Sequence, residues 1–312
     1  MSNPHELSTS VHAGTETIAA KPAMSPLKRT LIALLHNRLA LVGLIITGIL
    51  LLAAVLAPVL APQDPYDLAQ LDIMDGRLAP GGESMTGLTY WLGTDTQGRD
   101  LVSAIMYGLR TSILVGLVSA AVALVIGTSI GLFSAYAGGR IDAVLMRIVD
   151  IQLSFPSILI ALIFLAILGQ GVDKIIIALV VTQWAYYART VRGSALVESK
   201  RAYIEAARSM ALPDRSIIFR HMLPNCLPPL IVVATMRIAY AIMLEATLSF
   251  LGIGLPVTEP SLGLLISNGF EYILSGDYWI SFFPGITLLL LIVGINLIGD
   301  ALRDILNPRR EG

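Results

Sequence analysis

The chain has 312 residues, of which 55% are hydrophobic and 14% are charged, and its net charge is −1. So few charges cannot cover the surface of a water-soluble globule of this size, so the composition predicts an integral membrane protein. The lack of a basic excess argues against a nucleic-acid partner, and a single cysteine, Cys226, excludes an internal disulfide framework.

Charge-poor apolar runs predict six transmembrane helices, because a hydrocarbon core about 30 Å thick requires about 20 residues of helix. In chain order the runs are Leu39–Gln63, Thr111–Gly139, Ile151–Val172, Ile175–Ala188, Pro224–Gly254 and Tyr278–Gly299. The first run is longer than the roughly 7–15-residue core of a signal peptide, which favours a retained anchor. Pro156 should kink the third helix. The fourth run is short, so Lys174 and Arg189 must extend toward the membrane surfaces for it to span.

Most of the 21 lysine and arginine residues fall on one side of this topology. By the positive-inside rule, that side and both termini are cytoplasmic. The predicted organisation is a mobile tail at 1–25, a first helix with its lead-in at 26–62, an extracytoplasmic loop at 63–107 and a five-helix core at 108–312. The core contains a cytoplasmic loop at 192–225. Turn-forming residues in APQDP and LAPGGE predict that the extracytoplasmic loop is folded.

Two short helices are predicted in the cytoplasmic loop. Tyr203–Ala211 contains good helix formers and should end before Pro213. Asp214 is placed to cap a second helix, which Pro224 should close. Small residues on the first helix leave a surface that another protein could approach closely. The spacing fits packing on the chain's own membrane helices equally well, so the pattern leaves both readings open.

This loop contains the tripeptide E-A-A, then three residues and a small residue, and further on the tripeptide M-L-P. The matching residues are Glu205, Ala206, Ala207, Ala211, Met222, Leu223 and Pro224. This order resembles the loop signature of permease subunits of bacterial ABC importers. That family usually has glycine where Ala211 stands, and the extra methyl group is expected to shift the helix packing slightly without abolishing docking.

Six further motifs resemble the dipeptide, oligopeptide and nickel branch of the family, and the likeness runs from about residue 36 to residue 310. The motifs are LGTDTQGRD, YGLRTSILVG, AYAGGRIDAVLMRIVD, RHMLPN, EATLSFLGIG and the closing pair FPG and NLIGDALRDILNP. The chain departs from the branch at Ala104, where arginine is frequent, and at Leu262, where tryptophan is usual. Both departures are expected to affect contacts on the extracytoplasmic side.

The resemblance implies an all-α membrane protein with the type I ABC importer permease fold. It also implies partners: a second homologous permease subunit, two ATPase subunits, and an extracytoplasmic solute-binding protein. The site that couples ATP hydrolysis to transport would consist of Glu205, Ala206, Ala207, Ala211, Leu223 and Pro224. Peptides are the default solute of this branch, with nickel, opines or another small solute as alternatives.

The chain contains no G-x-x-x-x-G-K-[ST] phosphate-binding loop. We therefore expect ATP and Mg²⁺ to be used by partner subunits, and expect this chain to bind no cofactor and to have no enzymatic activity of its own.

Two ionisable residues, Arg237 and Glu245, lie inside the fifth apolar run. Such groups are costly at membrane depth and usually face a polar interior, which makes both candidates for the solute path. At 1.5 Å per residue they share a helix face about 12 Å apart, too far for a direct ion pair. Glu245 belongs to the EATLSFLGIG motif and is expected to be structural. Arg237 stands where the family more often has a small or apolar residue, so it could contact a solute carboxylate; helix packing is the alternative.

Three other classes of membrane protein compete with an importer subunit. A secondary transporter should show paired broken helices in two halves, and a channel should show a filter-like segment or a charged ring. Neither is evident in the sequence. A scaffold that recruits an ATPase is the third class, and it would be recognised by the lack of solute-dependent ATP turnover.

Overall fold

The computed structural model describes residues 26–67, 71–84 and 87–306, and it is almost entirely helical. The predicted tail at 1–25 lies outside the described residues. The helices in chain order are α1 Pro26–His36, α2 Arg38–Leu60, α3 Leu101–Ala137, α4 Gly139–Ser154, α5 Ser157–Leu168, α6 Val172–Glu198, α7 Ala202–Ser209, α8 Asp214–Ser216, α9 Leu223–Phe250, α10 Leu262–Phe270 and α11 Trp279–Ile305. A π-helical turn, Ile217–Met222, joins α8 to α9, and 3₁₀ turns lie at Ile73–Asp75 and Ile273–Ser275. Strands β1, Gly82–Glu83, and β2, Thr89–Tyr90, pair antiparallel.

Four helices among the described residues are long and apolar enough to cross a membrane: α2, α3, α11 and the continuous helix Asp214–Phe250. The bent pair α4 and α5 is a fifth candidate span. Helix α6 is longer than the predicted run Ile175–Ala188, with 27 residues, but it is not among these apolar spans. A mostly helical fold with four or five apolar spans is confirmed, and the count of six spans stays a prediction.

The predicted third span, Ile151–Val172, is divided into two helices. Helices α4 and α5 meet at 89°, and Phe155 between them is extended, with φ −95° and ψ 141°. A residue that precedes proline avoids the helical region, and Pro156 has no N–H to donate. Pro156 therefore breaks the span, which is a larger effect than the kink predicted from the sequence.

Pro224 does not close a second loop helix, contrary to the prediction. Asp214–Phe250 is one continuous helix, and the N–H of Leu223 donates to the carbonyl of Ile218 five residues earlier. This wider turn accommodates a proline ring, which would clash with the carbonyl four residues earlier in an α-helix. Asp214 is also not the capping residue, because Pro213 occupies that position and Asp214 is the first helical residue.

Helices α3 and α6 approach each other closely because glycines line their contact. A β-carbon at Gly127 would lie 2.3 Å from the carbonyl oxygen of Trp184, and one at Gly131 would lie 2.4 Å from that of Ala188. Small residues permit the same close approach in many membrane helix pairs. This contact fixes α3 and α6 relative to each other, and the segment between α6 and α9 packs on the ends of both helices.

The loop between α2 and α3 is folded, as predicted. Its centre is the buried carboxylate of Asp75, which accepts hydrogen bonds from the hydroxyls of Ser84 at 2.6 Å and Tyr90 at 3.1 Å. The loop ends at Asp100 and not at residue 107, because α3 already begins at Leu101. The carboxylate of Asp100 caps α3 by accepting the N–H of Ser103 at 2.8 Å.

Candidate functional site

The segment predicted to couple the chain to an ATPase, residues 199–225, is called the coupling segment; it runs from the end of α6 into the first turn of α9 and contains the short helix α7. Ile204 is fully buried and Ala207 is 5% exposed, and their spacing of three places them on one face of α7. They belong to one apolar cluster with Leu132 of α3 and Val191 of α6. Helix α7 is therefore seated on the ends of the long helices, and its apolar face serves the chain's own fold.

Helix α7 ends in a Schellman motif, in which the residue after the cap has left-handed backbone. The N–H of Ala211 donates to the carbonyl of Arg208 at 2.9 Å, and the N–H of Leu212 donates to that of Ala207 at 3.2 Å. Ala211 has a φ of +54°, which glycine adopts freely and which is strained for a residue with a β-carbon. The left-handed backbone at this position explains why the resembling family usually has glycine there. Ala211 is exposed, so within the described chain its methyl group strains the turn and is not packed against another helix.

The outer face of the coupling segment is exposed and partly apolar. Met210 is 71% exposed and Phe219 is 55% exposed. Exposed apolar groups clustered next to charged ones are typical of protein interaction surfaces. Of the predicted coupling residues, the exposed ones are Glu205, Ala206, Ala211 and Pro224, while Leu223 is half-buried and Ala207 is buried.

Tyr136, at the end of α3, fixes the coupling segment from one side. Its hydroxyl donates a hydrogen bond to the carboxylate of Asp214, and the guanidinium carbon of Arg208 lies 5.3 Å from its ring centroid. One side chain of α3 therefore holds both α7 and the start of the continuous helix.

Tyr203 fixes the segment from the other side. Its hydroxyl donates to Glu198 at the end of α6 at 2.6 Å and accepts from the amide of Asn225 in α9 at 2.9 Å. Burial, together with the hydrogen bond to Glu198, raises the pKa of Tyr203 to about 12. The hydroxyl therefore stays protonated, and can donate to Glu198, throughout the neutral pH range.

Glu245 is fully buried in α9 and is hydrogen-bonded on both oxygens. The hydroxyls of Ser112 in α3 and Ser249 in α9 donate to it at 2.7 and 2.8 Å. Glu245 thus joins α3 to α9, and the structure brings it together with serines and not with Arg237.

Arg237 is partly buried in α9 and lies against two aromatic rings. Its guanidinium carbon is 3.4 Å from the ring centroid of Tyr186 and 5.2 Å from that of Tyr240. Among the described residues it forms no salt bridge. An arginine at the centre of a membrane helix costs about 2.5–3.5 kcal/mol on insertion scales. A cation–π contact stabilises by about 0.5–2 kcal/mol, so the two tyrosine contacts together are comparable to that cost.

The LGTDTQGRD motif forms a buried turn. The Nε of Arg99 donates to Asp95 at 2.6 Å, and both side chains are fully buried. Gly98 has a φ of +76°, and a β-carbon there would lie 2.0 Å from the carbonyl oxygen of Asp72. Beside this turn, a cleft of about 680 Å³ separates the first loop from the loop before α10, and its walls include Tyr66, Arg99, Val257 and Glu259.

Ala104 and Leu262, where the chain departs from the family pattern, are both fully buried. They belong to one apolar cluster shared by α3, α10 and α11. Neither side chain reaches a surface, so any effect on contacts at that end of the molecule would act through packing.

Comparison with known proteins gives matches along most of the chain. A family model described as binding-protein-dependent transport system inner membrane component matches residues 127–312. A second model, described as the N-terminal TM domain of oligopeptide transport permease C, matches residues 25–80.

Individual relatives match over nearly the whole length. The chain is 41% identical over 285 residues to a putative peptide transport system permease protein of Brucella abortus, covering 91% of this chain and 93% of that protein. It is 38% identical over 289 residues to the dipeptide transport system permease protein of Alkalihalophilus pseudofirmus, covering 93% of this chain and 92% of that protein. An inward-facing structure of the MetNI methionine ABC transporter matches with a TM-score of 0.54 and 22% identity, covering 65% of this chain and 96% of the matched chain. That likeness concerns the fold.

Proposed function

The chain belongs to the family of binding-protein-dependent transport system inner membrane components, and on that premise we propose that it forms half of the pore of a peptide importer. It is a multi-pass inner membrane protein and a permease subunit of an ABC importer, as the motifs predicted. Peptide as the solute rests on one observation. Relatives at 41% and 38% identity, matched over 91% and 93% of this chain, are named as peptide and dipeptide permeases.

The proposed topology has six spans with both termini in the cytoplasm. The length of α6, 27 residues, corresponds to about 40 Å of helix, more than a hydrocarbon core requires. The bent pair α4 and α5 supplies the third span. Exposed arginines on the coupling segment support its cytoplasmic location by the positive-inside rule, namely Arg201, Arg208, Arg215 and Arg220.

In the proposed mechanism the outer face of the coupling segment lies in a groove on an ATPase subunit. Met210 and Phe219 supply the apolar contact, and Glu205 supplies a charged one. The opposite face of α7 packs on the long helices. Tyr203 of α7 is hydrogen-bonded to α6 and α9, and Tyr136 of α3 contacts Arg208 of α7 through its ring. A displacement of α7 therefore moves α3, α6 and α9 with it. Coupling requires that the ATPase contact differ between two states of the pore.

The proposed complex contains three further subunits and one soluble partner. A second homologous permease subunit completes the pore, and two ATPase subunits hydrolyse ATP with Mg²⁺. A solute-binding protein delivers the peptide to the face that carries the first loop. The cleft beside the Arg99–Asp95 turn is the proposed contact for that protein, because large apolar side chains such as Ile73 and Val257 are exposed at its walls.

Cysteine crosslinking in the full complex tests the coupling segment. A cysteine at Met210 should form a crosslink to an ATPase subunit, and the yield should change when a non-hydrolysable ATP analogue is added. A cysteine at Ala207 is the matched control, because that position is buried one turn away. The native Cys226 is buried as well. Equal capture from both positions, or none from Met210, would contradict the proposed docking face.

Uptake by the reconstituted complex tests the solute. Proteoliposomes that contain both permeases, both ATPases and the binding protein should accumulate alanylalanine only with ATP. Accumulation of nickel or of an opine in place of every peptide tested would refute the peptide assignment and leave the importer assignment standing.

A further inference from the structure

Arg237 lies near the middle of the helix that crosses the membrane. Helix α9 extends from Leu223 to Phe250, which places Arg237 about 20 Å along the axis from each end. A hydrocarbon core is about 30 Å thick, so this depth is beyond the reach of a side chain that extends to the membrane surface from a helix end. In the proposed topology the charge is therefore held at mid-depth.

No acidic group of the described residues neutralises Arg237. Glu245, the acidic residue in the same helix, has its oxygens occupied by Ser112 and Ser249. The described part of the chain also supplies no hydrogen-bond acceptor to the guanidinium, whose contacts there are the rings of Tyr186 and Tyr240. Those rings cover the face of the guanidinium and fix its orientation. The N–H groups project from its edge, and that edge is the part that pairs with a carboxylate through two parallel hydrogen bonds.

A second observation points to a polar site on the same part of α6. Gln183 and Tyr187 are fully buried, and within the described residues neither amide atom of Gln183 nor the hydroxyl of Tyr187 has a hydrogen-bond partner. Gln183 lies three positions before Tyr186 and four before Tyr187, on the neighbouring turn of α6, and the two tyrosines are adjacent in the chain. Buried polar groups without partners are costly in a membrane. They are consistent with a region that accommodates a polar solute during part of the transport cycle.

We propose that Arg237, oriented by Tyr186 and Tyr240, binds a carboxylate in the middle of the pore. The inference deepens the proposed function and rests on it: the carboxylate is the C-terminal group of the peptide during transport. A carboxylate of the neighbouring permease subunit has the same chemistry, and the experiment separates the two sources.

The first experiment compares two solutes in the reconstituted full complex. Arg237→Gln should reduce the uptake of alanylalanine at least tenfold and change the uptake of alanylalanine amide less than twofold. Arg237→Lys keeps the charge and loses the paired N–H groups, so its uptake of alanylalanine should lie between that of wild type and that of Arg237→Gln. Arg110→Gln is the matched control, because Arg110 is an exposed arginine of α3 and should leave both rates unchanged. The same binding protein is used throughout, so its own selectivity cancels when each variant is compared with wild type.

Equal loss of both solutes, or loss of the second permease subunit from the purified Arg237→Gln complex, would assign Arg237 to the subunit interface and overturn the inference. Unchanged uptake of both would overturn it also. If the wild-type complex imports no peptide in either form, it is the proposed function that fails.

A second measurement does not depend on delivery by the binding protein. Phenylglyoxal modifies accessible arginines, and the extent at each residue is read by mass spectrometry of the complex during ATP turnover. Alanylalanine should protect Arg237 at least threefold, alanylalanine amide should not, and Arg110 should be modified equally in both. Equal modification of Arg237 with both solutes, or none under any condition, would contradict a solute site.

Discussion

Replacing Ala211 by glycine should stabilise the end of α7. Alanine at a φ of +54° is strained by about 1–2 kcal/mol, and glycine removes that strain. Glycine also makes the unfolded chain more flexible, which costs about 0.4–1 kcal/mol. The expected net gain is about 0.5–1 kcal/mol, which corresponds to about two- to fivefold slower opening of the Schellman motif. Hydrogen exchange of the amides of Ala211 and Leu212, the two donors of the motif, measures this directly.

Ala206→Gly is the matched control for this measurement. Ala206 is exposed in the interior of α7, where the same loss of a methyl group should destabilise the helix by about 0.5–1 kcal/mol. The two substitutions are chemically identical and should change exchange in opposite directions. If Ala211→Gly accelerates exchange as Ala206→Gly does, the left-handed backbone at Ala211 is not the cause of strain.

Three further predictions concern the groups that hold the fold and the coupling segment. Asp95→Asn should cost about 3–5 kcal/mol because it leaves Arg99 charged and unpaired in a buried site; normal yield and thermal stability of the purified permease would contradict this. Ile204→Ala should destabilise the attachment of α7 by about 2–5 kcal/mol and lower peptide uptake per ATP hydrolysed; an unchanged ratio would show that this packing does not transmit force. Tyr136→Phe removes one hydrogen bond to Asp214 and should weaken that contact by about 1 kcal/mol, observed as faster amide exchange at the start of α8, and unaltered exchange there would refute it.

The sequence motif predicted which segment couples the chain to an ATPase, and that role stays a prediction; local patterning could not give how the segment is attached to the long helices. Ile204 and Ala207 share a helix face by spacing, yet their partners Leu132 and Val191 are supplied by distant parts of the chain. The strain at Ala211 follows from a Schellman motif that the coordinates show and the local sequence does not. The sequence therefore led to an expected shift in helix packing from the extra methyl group, whereas the structure shows strain in the backbone of the turn.

Proline positions were informative to different degrees. Pro156 was correctly identified as a point of disruption, because the residue before any proline avoids the helical region. Pro224 was wrongly identified as a helix end, because the π turn at Ile217–Met222 that accommodates it has no signature in the local sequence. The six motifs gave the family, which the comparisons confirmed. The serine partners of Glu245 could not be predicted, since Ser112 is separated from it by 133 positions.

The continuous helix Asp214–Phe250 contains both Phe219 and Arg237. Phe219 lies on the proposed ATPase contact, and Arg237, about 27 Å away along the helix, lies at the proposed solute site. If ATPase binding changes the affinity of the pore for solute by a certain factor, solute binding must change the affinity for the ATPase by the same factor, because coupling between two binding sites is reciprocal. A solute bound in the pore would thus change the affinity of the coupling segment for the ATPase through the same helix that the ATPase moves. Nucleotide turnover in the complex should consequently depend on which solute is present, even when the binding protein is saturated.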